Sequence, residues 1–288
     1  MVDDMTATDR IDTRLGPLAV RVVGEGPPLV FFAGALANGA LWRDVVGALH
    51  VGYRCITVDL PLGSHPWPLD DGADRSATSL ARLLLDSLEL LDVSNATVLV
   101  NDTAGGLLLL SLATGHPALE RVGRLVLTNC ESYEHFPPAA LRKAATMCRV
   151  APRVARAAVR LQVRSAVARN KTIASVTAGA LDDDRVEALF GPAQRDPRIA
   201  ADLVAAMGGF RPELMLDAAS AIPSFDKPVL LVWGDACEFF PIDQARRLAA
   251  GFPNANLVVV PGAKTWVPID NPTAIVDAVT AFVPARAT

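Results

Sequence analysis

A chain of 288 residues with 51% apolar and 20% charged side chains can build a deep core, which excludes a disordered chain. Net charge is −4, with 27 basic and 31 acidic residues spread along the sequence, so no electrostatic footprint for nucleic acid is expected. Met1-Val2-Asp3-Asp4-Met5 is acidic without a hydrophobic signal core, and no apolar run reaches the roughly eighteen residues of a bilayer span. A cytoplasmic protein without a membrane partner is therefore expected. Cys55, Cys130, Cys148 and Cys237 lie far apart with no C-x-x-C pair, which argues against a disulfide framework and a structural zinc site.

Leu15 to Val23 reads as a first strand, and Gly24 to Pro28 turns the chain into a second, Leu29 to Phe32, ending at Ala33-Gly34. A short helix from Trp42 to Leu49 precedes a continuous apolar strand, Arg54 to Val58, of the kind that suits a sheet buried on both faces. After a Pro- and Gly-rich loop, Ser79 to Leu91 has leucines at helical spacing. Gly123 to Thr128 is a further strand, opening into Asn129-Cys130-Glu131. This alternation predicts an α/β fold with a mostly parallel central sheet and helices on both faces. From about His135 the rhythm changes to arginine- and alanine-rich helical stretches without a strand, too long for a loop in a compact domain. The reading is a core of residues 1–134 and 216–288 with an inserted helical cap, 135–215. Strand rhythm returns in Pro228 to Trp233, followed by a helix from Ile242 to Ala250, a strand from Leu257 to Val260 and a closing helix from Pro272 to Phe282.

The stretch that organises the rest is Val98-Leu99-Val100-Asn101-Asp102-Thr103-Ala104-Gly105-Gly106, an apolar run that breaks at a polar turn and continues as a leucine-rich helix. That is the layout of a nucleophile elbow, whose tip residue is strained and whose neighbours must be small. Two registers compete, with Asp102 or Thr103 at the tip. Asp102 is favoured, because a carboxylate attacks carbon without first losing a proton whereas a threonine hydroxyl needs a base. Asp102 as a plain helix cap is the competing structural explanation.

In this order and spacing, the chain resembles the α/β-hydrolase fold, especially the capped branch that holds haloalkane dehalogenases and epoxide hydrolases. The resemblance runs through Ala33-Gly34 with Trp42, Val58-Asp59-Leu60-Pro61-Leu62-Gly63, the Asp102 elbow, Leu125-Val126-Leu127, Trp233-Gly234 to Pro241, and Val260-Pro261-Gly262-Ala263 to Pro272. It implies a catalytic acid where Cys237 stands and a histidine where Thr265 stands, so both usual residues are missing. Another acid position used in this fold falls on Glu131. It also implies an oxyanion hole of backbone N–H groups, here from Ala35 and from Thr103 or Ala104.

An ester on Asp102 would need water activated by a histidine. His50 and His116 fall near helix ends, where a surface role suits them, which leaves His65 and His135 as candidates to face the cleft. Asn38, Trp42, Trp67 and Trp266 are candidates to line an apolar pocket, with core packing the favoured reading of each tryptophan. Cys237 reads as a nucleophile or as an inert buried thiol, the latter favoured because no histidine is placed beside it.

Three functions follow. The first is cofactor-independent, non-hydrolytic chemistry on a small hydrophobic molecule, polyketide-like compounds included: carbon–carbon bond formation or cleavage, cyclisation or rearrangement. Asp102 would be base or electrostatic group and Glu131 its partner. The second is an atypical hydrolase with Asp102 as nucleophile and His65 or His135 as a relocated base. The third is a ligand-binding pseudohydrolase. No cofactor or metal is called for, the sequence marks no dimer surface, and the resemblance suggests specialised metabolism.

Overall fold

The computed structural model describes residues 8–284, so the acidic stretch Met1 to Met5 lies outside the described residues. The chain opens with a hairpin, β1 (Asp9–Thr13) and β2 (Gly16–Val23), and continues with β3 (Pro28–Phe32), α1 (Arg43–Leu49), β4 (Arg54–Asp59) and α2 (Ala77–Leu90). Then come β5 (Ala96–Asp102), α3 (Thr103–Leu112) and β6 (Val122–Cys130). Between β6 and the next strand the regular elements are all helical: α4 (Arg142–Val150), α5 (Pro152–Arg164), α6 (Ala166–Val176), α7 (Asp183–Arg195), α8 (Pro197–Gly208) and α9 (Pro212–Ala218), with short 3₁₀ turns at each end. The chain closes with β7 (Val229–Gly234), α10 (Ile242–Gly251), β8 (Ala255–Val260), α11 (Val267–Asp270) and α12 (Pro272–Phe282).

The eight strands form one sheet in the order β1-β2-β4-β3-β5-β6-β7-β8. β2 pairs antiparallel with both β1 and β4, and every other pairing is parallel. Two elements escaped the sequence reading. β1 is mostly exposed and polar, so it lacks the apolar run that marks a buried strand, and α11 is a single turn. Two 3₁₀ and α-helical pieces, split at Trp42, replace the one helix expected from Trp42 to Leu49.

Burial on both faces explains the continuous apolar strands. Val30 and Phe32 of β3 join the core beneath α2, α3 and α10, while Leu29 and Phe31 join the core beneath α1 and α12. The second core also takes in Val163, Leu189 and Phe190 from the helical segment. It is tied across the chain by the buried Tyr53 hydroxyl, which donates to the carbonyl of Val283 at 2.7 Å. Among the described residues no helix is long and apolar enough to cross a membrane.

Candidate active site

β5 ends on Asp102 and α3 begins on Thr103, so strand turns into helix with no residue between. The turn is absorbed by Asp102 itself, at φ 54° and ψ −130°, a conformation an L-residue holds at about 1–3 kcal/mol of strain. This places Asp102 at the tip and Thr103 in the first helical turn. Asp102 makes no N-cap side-chain bond to the first turn of α3 beyond the adjacent Thr103 N–H, so helix capping does not explain it. Close approach on either side requires glycine. A Cβ on Gly34 would stand 2.6 Å from the Asp102 Cβ, and one on Gly105 would stand 2.3 Å from the Cys130 Cβ.

The backbone N–H groups of Ala35 and Thr103 face the Asp102 carboxylate. Burial pushes the Asp102 pKa up to about 7, against the pull of those two donors. Ala104 is buried in the helix and is the donor the alternative register would have used. Glu131 follows the last residue of β6 and is buried; its Oε1 accepts the Thr103 hydroxyl at 3.3 Å, and its Oε2 has no partner. Burial first, then the nearby charge of Asp102, raises the Glu131 pKa well above the carboxylate range. Two carboxyl groups that repel ionisation in this way hold one proton between them near neutrality. Asp102, Thr103 and Glu131 are thus brought together.

Cys237 and Thr265 face each other, Sγ to Oγ1 at 3.1 Å, both buried. Burial raises the Cys237 thiol pKa, opposed by the Thr265 bond, which leaves a neutral thiol near pH 7. Asn101 holds the Thr265 carbonyl at 2.7 Å and the Thr128 hydroxyl at 2.9 Å, while Asn129 and Gly234 exchange bonds of 3.0 and 2.7 Å. These two asparagines were not singled out from sequence, although each is a polar residue where an apolar strand ends.

The histidine and tryptophan candidates make other contacts. His65 is not free to serve as a base: Nε2 donates to Asp202 of α8 at 3.1 Å, and Nδ1 accepts the Gly63 N–H at 3.4 Å. Asp202 also takes Arg75 and the Leu69 N–H; burial pushes its pKa up, but these bonds outweigh it and leave it low. His135 has Nδ1 unpartnered and 3.9 Å from Glu134, its pKa lowered by burial, and makes no hydrogen bond to Asp102 or Glu131. Trp42 is core: it packs on Phe31 and donates to the Phe32 carbonyl at 3.3 Å. Trp266 is likewise buried in the core, and Trp67 lies under Arg10.

Asn38 caps a 3₁₀ turn and donates to the carbonyls of Ser64 at 3.0 Å and Ala188 at 2.7 Å. It borders a cleft of about 550 Å³ with Thr57, Asp59, Ser64 and Pro192, but Asp102 is not part of that lining. Its role is to join the core loops to α7.

Comparison with known proteins agrees with the fold. The chain is 26% identical to a 2-hydroxy-6-oxononadienedioate/2-hydroxy-6-oxononatrienedioate hydrolase of Cupriavidus pinatubonensis, over 88% of this chain and 83% of that one. It is 27% identical to a cis-3-alkyl-4-alkyloxetan-2-one decarboxylase of Shewanella oneidensis, over 73% of this chain and 67% of that one. Among solved structures, a haloalkane dehalogenase of Bradyrhizobium elkani superposes with a TM-score of 0.76 at 16% identity, covering 96% of this chain and 97% of that one. The sequence model of the alpha/beta hydrolase fold matches residues 27–272, and the chain belongs to that family.

Proposed function

We propose that this protein is an α/β-hydrolase-fold enzyme that acts on a small apolar, oxygenated molecule by cofactor-independent acid–base chemistry at carbon. The observation that carries the reading is the Asp102–Glu131 pair. Asp102 has its pKa at about 7, where a general base works best at neutral pH, and Glu131 beside it stays protonated. Asp102 takes a proton from a carbon next to a carbonyl. Glu131, hydrogen-bonded to the Thr103 hydroxyl and kept neutral by burial, is the acid that returns a proton to the substrate. Isomerisation and cyclisation through an enolate open with that proton transfer, and in cleavage the same base would take a hydroxyl proton instead. Residues 135–215 act as the cap, held to the core by the Asn38 and Ser64 bonds to α7. The named substrates of the two relatives, an oxo-dienedioate and an oxetanone, are both oxygenated carbon skeletons.

One observation favours a second reading, Asp102 as nucleophile: the two N–H groups facing its carboxylate would also stabilise an attacked ester. With Thr265 bonded to Cys237, such an ester would accumulate. The test is turnover of a panel of β-keto acids, β-lactones, epoxides and haloalkanes, with intact mass recorded in parallel. Acid–base chemistry gives product with no adduct, and Asp102→Ala lowers the rate at least about 100-fold. A stable mass gain on Asp102 supports the nucleophile instead. Full turnover by both Asp102→Ala and Glu131→Gln overturns both readings.

A further inference from the structure

The even spread of charge expected from the totals does not hold along the chain. Between Arg142 and Leu181 stand seven arginines and two lysines, with no aspartate or glutamate. Because the whole chain is −4, the remaining residues carry −13. All nine cations belong to α4, α5 and α6, and among the described residues none has a carboxylate oxygen within 4.0 Å. Most arginines elsewhere among the described residues, Arg14, Arg21, Arg75 and Arg185 for example, are paired with carboxylates. A cluster of unneutralised cations repels itself and opposes folding, so it calls for an explanation outside the chain.

The pattern on α5 supplies one. Arg153, Arg156, Arg160 and Arg164 recur at i, i+3, i+7 and i+11, which sets them in one row about 16 Å long. Beside that row runs an aliphatic one: Val154 is 60% and Leu161 68% exposed. Val150 and Val167, at the flanking helices, are 70% and 82% exposed, so this surface holds four of the nine large apolar side chains exposed among the described residues. At the junction of α4 and α5, Val150, Pro152, Val154 and Arg156 border a shallow recess of about 430 Å³. Arginines next to exposed aliphatics and a recess form a docking face, with the recess placed to take an apolar anchor.

We infer that this face of α4, α5 and α6 docks an acidic helix of a partner protein, its carboxylates along the arginine row and an aliphatic side chain in the recess. The spacing selects a helix, because Glu or Asp at i, i+3 and i+7 rises along its axis by the same step as the arginines of α5. The guanidinium fork suits carboxylates, and arginine outnumbers lysine here seven to two. A bilayer surface is a poorer occupant. Interfacial helices anchor through several Trp, Phe and Leu side chains, whereas this face exposes a single leucine, Leu161, and residues 137–189 contain no aromatic side chain. A nucleic acid would gain nothing from Val150, Val154, Leu161 and Val167.

The experiment uses the full chain and a fluorescein-labelled helical peptide with glutamates at i, i+3, i+7 and i+11 and leucines on the adjoining row. Controls are a scrambled peptide of the same composition, vesicles with phosphatidylserine, and duplex RNA. Anisotropy should give a Kd of order 10 µM for the striped peptide at about 50 mM salt, and at least about tenfold weaker binding of the scrambled one. Binding should weaken several-fold by about 200 mM salt. Arg153→Glu with Arg160→Glu, and separately Val154→Ser with Leu161→Ser, should each lose at least about tenfold. Arg246→Glu on α10 should lose nothing. Both double variants lie on the surface, so an unchanged melting temperature confirms the fold. Equal binding of the scrambled peptide, no binding of the striped one, or tighter arginine-dependent binding of vesicles or RNA overturns the proposal.

Discussion

Asn38 donates to the carbonyl of Ala188, the carbonyl that Pro192, four residues further along α7, leaves without a helical N–H. The proline sits inside a helix, where it removes a bond and pushes that carbonyl outward, and Asn38 occupies the gap at 2.7 Å. Ser64 Oγ takes the next carbonyl, Leu189, at 2.6 Å.

Asn38→Ala should therefore lower stability by about 1–3 kcal/mol in urea unfolding, since it also removes a cap. In a Pro192→Ala background the helix supplies its own N–H to Ala188, so the loss from Asn38→Ala should shrink by about 1 kcal/mol. Additive losses would show that the proline and the asparagine are not matched.

Asp102 predicts a dependence of stability on pH. Folded, it keeps its proton up to about pH 7; unfolded, it releases it near pH 4. Between these values the folded chain binds the extra proton at Asp102, so this contribution to stability falls as pH rises, by up to about 1.4 kcal/mol per unit, and levels off above 7, while Glu131 adds a fall of the same sign that continues to higher pH. Asp102→Asn removes this contribution. The variant should be more stable than the wild type at pH 7.5, and the advantage should vanish near pH 4.5, read from paired urea titrations.

His65 should behave as a strut. Both ring nitrogens are occupied, by the Gly63 N–H and by Asp202. His65→Ala should destabilise by about 1–3 kcal/mol and leave Asp202 and Arg75 partly unpaired, while the midpoint of the pH–rate profile stays in place. A shifted midpoint would restore His65 as a base.

All four cysteines are buried, and burial raises Cys55 to about 12 and Cys130 and Cys237 above their ordinary values. Native protein should show no rapid reaction with a disulfide reagent at pH 8, and four thiols after denaturation. Fast labelling of Cys237 without unfolding would make it a reactive thiol.

The sheet and its helices were legible because burial on both faces writes continuous apolar strands such as Val98 to Val100, and because Pro272 opens α12 where expected. The elbow was legible from Gly105 and Gly106, yet its register rested on the φ of Asp102, which no composition reveals. Glu131 was found from its place after a strand. Asn38 does border a cleft, but its bond to α7 was hidden because Ala188 lies 150 residues along the chain. His65 was misread for the same reason, its fixing partner Asp202 being 137 residues distant. What sequence hides here is which distant backbone or side-chain group claims a polar side chain.

The Tyr53–Val283 bond spans 230 positions. It closes the core in which Val45, Val46 and Leu49 of α1 meet Ile275 and Val279 of α12. During translation, α1 emerges long before the helix that covers it, and at roughly 5–20 residues per second the interval is roughly 10–50 s. Throughout that time the apolar side of α1 has no native partner from α12, so the nascent chain is expected to need a chaperone longest at this helix.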